Sequence, residues 1–151
     1  MDLLTLIEKD REGILAEAGK SLSRAHLKHY EQAGAEQTSD RLRSLLELTC
    51  ECVRKRNLAM MIHHAESIAR QRFNAGYDLQ EVQTAFNVLE ETLWKRIIQQ
   101  LKPDQFAEAL GLIATVLGAG KDMLARTYVS MASKSKSPSL DLRELFEGAE
   151  G

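Results

Sequence analysis

Apolar residues recur along this chain at steps of three and four, and no stretch shows the strict alternation of a strand. Leu3, Leu4, Ile7, Ile14, Leu15, Ala18 and Leu22 form the first stripe, interrupted by Arg11 and Gly13. Gly19 is the expected break of this first helix. A second piece over 20–33 is expected to stop at Gly34, because glycine tolerates positive φ. A clearer helix covers 36–56, with Leu42, Leu45, Leu46, Thr49 and Val53 on one face. The basic run Arg54-Lys55-Arg56 suits its C-terminal end, where cations meet the partial negative charge of the helix dipole.

Asn57 then reads as the cap of a helix over 58–75, whose apolar stripe is Leu58, Met61, Ile62, Ala65, Ile68, Ala69 and Phe73, with Gly76 as its stop. Asp78 and Glu81 have capping-box spacing at the head of the most regular helix, where Val82, Phe86, Leu89, Leu93, Ile97 and Leu101 follow at helical steps. Pro103 is accepted at a first helical position and opens the last long helix, 103–132. Phe106, Leu110, Ile113, Leu117, Leu124 and Tyr128 line one face of it. Gly111, Ala114, Gly118 and Ala125 make a neighbouring stripe of small residues. Glycine inside a helix costs about 1 kcal/mol relative to alanine, so Gly111, Gly118 and Gly120 together weaken the isolated helix by roughly 3 kcal/mol. The expected compensation is another helix backbone approaching that side.

The pattern predicts an all-α bundle of five to six helices over residues 1–132. Residues 133–151 read as a polar Ser/Lys linker and a short amphipathic tail carrying Leu142, Leu145 and Phe146 on one side. A segment so short is expected to fold only on a docking partner, since helix nucleation is costly.

Composition narrows the function classes. A chain of 151 residues with 44% hydrophobic and 28% charged residues is long enough for one self-sufficient core. A formal net charge of −2 does not provide the basic excess that nucleic-acid binding draws on. No apolar run is long enough to cross a membrane, and the N-terminus MDLLTLIEKDR lacks the features of a signal peptide, so a cytoplasmic location is expected.

The chemistry-bearing residues form no recognisable constellation. LGAGKD at 117–122 contains Gly120-Lys121, but a phosphate-binding loop needs glycine where Thr115 stands and Ser or Thr where Asp122 stands. Cys50 and Cys52, two apart on a helix, point about 200° apart and cannot share one metal, so both read as small buried hydrophobes. His26 and His29 stand three apart, and His63 and His64 are adjacent, so neither pair has the four-residue spacing of a helical zinc site. His64 alone flanks an apolar face, a position that would suit a cavity edge. No catalytic residue, metal or cofactor is expected.

The segment DLQEVQTAFNVLEETLW carries a polar stripe beside its core stripe: Gln83, Asn87, Glu90 and Trp94, at steps of 4, 3 and 4. It suits either a solvated shoulder or a hydrogen-bonding rim at a dimer seam or ligand pocket, with Arg72, Lys121 or Tyr128 as candidate partners. The small-residue face of Gly111, Ala114 and Gly118 is the other candidate seam.

Three stretches carry a family resemblance: HYEQAGAEQTSDRLRSLLELTCECVRKRNL, ARQRFNAGYDLQEVQTAFNVLEETLW and ALGLIATVLGAGKDMLARTYVSMAS, together covering most of 29–133. They resemble the RsbRD-type N-terminal domain, the sensory region of bacterial RsbT co-antagonist proteins; the first thirty residues match only loosely. The resemblance implies a signal-receiving domain of the kind found at the front of stressosome proteins, histidine kinases and transcriptional regulators. It also implies a globin-like helical fold that dimerises without haem. With only the short tail beyond the last helix, the chain reads as a homodimeric module acting through a separate signalling partner, the tail being the docking element. The alternative from another class is a globin-like carrier of haem or a small apolar ligand.

Overall fold

A computed structural model describes residues 1–135. The expectations for the tail, Leu142, Leu145 and Phe146 among them, lie outside the described residues. Seven α-helices follow in order: α1 Leu3–Lys9, α2 Arg11–Arg24, α3 Lys28–Ala33, α4 Ala35–Lys55, α5 Ala59–Asn74, α6 Leu79–Gln100 and α7 Phe106–Ser135. A 3-10 turn at Pro103–Gln105 joins the last two, and no strand occurs among the described residues. The all-α bundle is as the periodicity predicts, with one helix more than the five to six expected.

The extra helix comes from the N-terminal third, where the expected boundaries need correction. The chain does not break at Gly19; α2 runs through it to Arg24. The breaks fall at Asp10 and at 25–27, where His26 takes a left-handed φ of 50°. Gly13, which interrupts the apolar stripe, has a steric reason. A Cβ there would lie 2.4 Å from Asp10 Oδ1. Its absence leaves room for the Asp10 carboxylate, which accepts from Arg96 Nε on α6 at 2.5 Å, while Arg96 Nη1 donates to Glu17 at 3.1 Å. One arginine thereby ties α6 to the α1–α2 junction.

The other punctuation follows local chemistry. Gly34 separates α3 from α4 with a φ of 89°, and Gly76 ends the stretch after α5 with a φ of 87°. Arg56 closes α4 in the left-handed conformation, and its basic neighbours Arg54 and Lys55 lie in the last turn, as the dipole favours. Asn57 Oδ1 accepts the Ala59 amide at 2.8 Å, capping the start of α5. Glu81 returns to the Asp78 amide at 2.9 Å, the bond its spacing predicts.

The core is continuous. Leu6, Ile14, Leu46, Met61, Leu93 and Leu117, from six different helices, are among its fully buried members. α7 packs along α5 and α6, which form its main walls. Cys50 and Cys52 are both buried, and burial raises the Cys50 thiol above its usual pKa.

The glycines of α7 divide against expectation. A Cβ at Gly111 or Gly118 would meet nothing within 4 Å, so among the described residues no second helix closes on that side. The close approach is at Gly120, where a Cβ would lie 2.6 Å from Phe86 Cε2 and 2.9 Å from Met61 Sδ. Two residues turn a helix by about 200°, so Gly120 faces the core while Gly118 faces away.

Candidate functional site

α6 and α7 form a hairpin through the short turn at Pro103. Asn87 bonds Lys121, while Trp94 shares a hollow with Leu110, Ile113 and Ala114, so the helices run antiparallel. A hollow of about 350 Å³ lies between them on the outer side, lined by Asn87, Glu90, Glu91, Trp94, Leu110, Ile113 and Ala114. Two patches that lie far apart in the sequence therefore converge on one face. Lys121 bridges them: its Nζ donates to Asn87 Oδ1 at 3.1 Å and to Glu90 Oε1 at 3.4 Å. Of the three partners proposed for the polar stripe, only Lys121 serves it. Tyr128 Oη donates instead to the Tyr77 carbonyl at 2.9 Å, and Arg72 lies over the Tyr77 ring.

The remaining stripe residues are placed as follows. Gln83 is half-buried one turn before Asn87 and does not line the hollow. Gly111 is exposed and Gly118 half-buried, both on the face of Ala114 by their steps of three and four. Trp94 is 48% exposed and Ile98, one turn further along α6, is 45% exposed. An indole beside small residues, rimmed by an amide, carboxylates and an ammonium, has the composition of an interface core with a polar rim. It holds no nucleophile–base pair. Surface ion pairs such as Lys121–Glu90 contribute only about 0–1 kcal/mol, so the pair's effect is to fix side-chain positions.

A second cluster lies at the start of α6 and was not legible in the sequence. Glu81, beyond its capping bond, accepts the His29 amide at 3.1 Å and meets His29 Nδ1 at 2.7 Å. Burial alone would raise the Glu81 pKa, but the bonds from the His29 and Asp78 amides and the His29 ring hold it below the ordinary carboxylate value. The His29 ring stacks on Tyr77 with centroids 4.6 Å apart, and Tyr30 meets Tyr77 edge-on at 5.6 Å. His29 and Glu81 are 52 residues apart, so no local spacing could have announced them. His64 is half-buried on α5. Burial first, then the Arg72 and His63 charges, lower its pKa. Among the described residues, no three His, Cys, Asp or Glu side chains come together as a metal site.

The chain is thus an all-α domain with a hollow between α6 and α7 and, among the described residues, no helix long and apolar enough to cross a membrane. Residues 14–132 match the family model of the RsbT co-antagonist protein rsbRD N-terminal domain, and the chain belongs to that family. The match begins at Ile14, inside α2, and leaves residues 1–13 outside it. No curated protein and no solved structure matches the chain. The family is one of regulatory signalling domains and not a known enzyme family.

Proposed function

We propose that this regulatory domain works by protein–protein contact and not by catalysis, with the α6–α7 face as the seam between two copies and a separate cytoplasmic signalling protein as its output partner. One observation carries the reading: Asn87, Glu90 and Trp94 of α6 converge with Leu110, Ile113 and Ala114 of α7 on one outer hollow. The small residues of α7 let a second backbone approach, which would use the side of Gly111 and Gly118 where no described residue comes within 4 Å of an added Cβ. A two-fold seam uses the same patch twice, so one tryptophan per copy supplies two anchors. Exposed tryptophan is the residue type most enriched among energetic hot spots of interfaces.

Trp94 is the only tryptophan, so its emission reports this face directly. Sedimentation velocity should show a dimer at micromolar concentration, and dilution should shift Trp94 emission to the red as the copies part. Trp94→Ala, at a hot-spot cost of at least about 2 kcal/mol, should weaken association roughly thirty-fold. Gly118→Leu should dissociate the dimer with the helical circular dichroism unchanged. A monomer at every concentration would refute the seam, and so would a dimer whose Trp94 emission is insensitive to dissociation.

A further inference from the structure

Away from the proposed seam, two neighbouring spaces share part of their lining. A groove of about 510 Å³ lies between α2, α3 and the start of α4, with Leu15, Gly19, Leu22, Leu27, Tyr30 and Thr38 in its walls. That volume is within the range of about 300–1,000 Å³ that small-molecule sites occupy. At its inner end, Leu22, Tyr30 and Thr38 also line a small chamber of about 30 Å³. The chamber has Arg41 of α4 and Arg72 of α5 in its wall, among Leu42, Ile68 and Phe86. A space of about 10–15 Å³ on this measure already holds one water, so the chamber has room for the oxygens of a small acidic group.

Arg41 and Arg72 are half-buried in this largely apolar wall, and a charge partly withdrawn from water is costly unless paired. Among the described residues no carboxylate pairs with either; their neighbours are tyrosines. Arg41 donates from Nη1 to the Tyr77 hydroxyl at 2.8 Å and lies 5.9 Å and 5.6 Å from the Tyr30 and Tyr77 ring centroids. Arg72 lies 5.6 Å from the Tyr77 centroid. Neither takes part in any ion pair among the described residues. Arg72 Nε is buried with no hydrogen-bond partner, the one such side-chain atom among the described residues. Burial, and then the neighbouring Arg41 charge, push the Arg72 pKa down; the Tyr30 phenol offsets this only in part. Tyr30 is no counter-ion, because burial drives its pKa to about 12 against the pull of both arginines. Glu81, whose charge reaches this cluster, is already committed to His29 and Asp78.

We propose that the groove and chamber form one binding site for a small monocarboxylate with an apolar body, its carboxylate between Arg41 and Arg72 and its body in the α2–α3–α4 groove. Arginine's planar fork matches a carboxylate, and the groove wall of Leu15, Leu22 and Leu27 favours an apolar remainder over a phosphate ester or a polyanion. The ligand would link α2, α4 and α5 in a regulatory domain. Both arginines lie on α4 and α5, and the site shares no lining residue with the α6–α7 hollow, so it does not depend on the dimer reading.

The test uses the full chain with 4-phenylbutyrate as probe and 4-phenylbutan-1-ol as its uncharged counterpart. At ten times its Kd, the acid should raise the melting temperature by about 3–6 °C with a saturable dependence, while the alcohol should not. Arg72→Met and Arg41→Met should each weaken the acid at least about tenfold in calorimetric titration, the loss expected for one charged hydrogen bond. Gly19→Phe places a ring in the groove from a position with nothing within 4 Å of its Cβ, leaves both arginines intact, and should block binding. It decides the matter if an arginine variant fails to fold. No response to the acid, an equal response to the alcohol, or undiminished binding by Gly19→Phe would overturn the proposal.

Discussion

The two glycines Gly118 and Gly120 make opposite demands on the same helix, and alanine at each position separates them. In a helix interior glycine is about 1 kcal/mol less favourable than alanine. At Gly118 the added Cβ meets nothing within 4 Å, so Gly118→Ala should keep that gain and stabilise the monomer by up to about 1 kcal/mol. At Gly120 the same methyl would lie 2.6 Å from Phe86 Cε2, 2.9 Å from Met61 Sδ and 3.3 Å from Met61 Cγ. Phe86 is 2% exposed and Met61 is fully buried, so both are held by the packed core. Overpacking of this kind costs about 1–3 kcal/mol, which exceeds the helical gain. Gly120→Ala should therefore be net destabilising by about 1 kcal/mol, leaving the two variants roughly 2 kcal/mol apart. Urea denaturation read by circular dichroism measures the difference, and for a chain of this size each kcal/mol moves the melting temperature by about 2–4 °C. Equal stabilisation by both alanines would refute the close packing at Gly120. A destabilised Gly118→Ala, measured under monomeric conditions, would refute the open face.

Further outcomes follow from other contacts. Arg96→Ala removes two hydrogen bonds that hold α6 to Asp10 and Glu17, and should cost about 1–3 kcal/mol in urea unfolding, the partly exposed carboxylates keeping it below a fully buried pair. The folded pKa of His64 lies below its ordinary 6.5, so its neutral form favours folding; that contribution is complete above pH 6.5 and is lost as pH falls through the folded pKa. His64→Gln should accordingly flatten the decline in stability on acidification from pH 7, and an unchanged slope would reject the assignment. Glu81, also lowered, stabilises the fold above its ordinary 4.5 and loses that effect as pH falls through its folded value; Glu81→Gln should make acid unfolding shallower. Addition of haemin to the purified protein should give no Soret band of a ligated haem, and a stoichiometric one would revive the carrier alternative.

Periodicity, capping and composition by themselves determined the helical class, the core faces of α4, α5 and α6, the cap at Asn57 and the buried state of both cysteines. Each rests on residues within about one turn of one another, where steps of three and four map directly onto one helix face. The polar stripe Asn87–Glu90–Trp94 was legible for the same reason. That it shares a hollow with Ala114 was not, because the pairing of α6 with α7 depends on how the hairpin closes. The break at Asp10 instead of Gly19 turned on an arginine 86 residues away, and the His29–Glu81 pair spans 52 residues. Glycine's intrinsic cost is a property of one position, so the sequence identifies Gly111, Gly118 and Gly120 alike as weak points. Only the tertiary packing decides which of them meets Phe86 and Met61 and which is left open, because a missing Cβ matters only where another atom occupies its place.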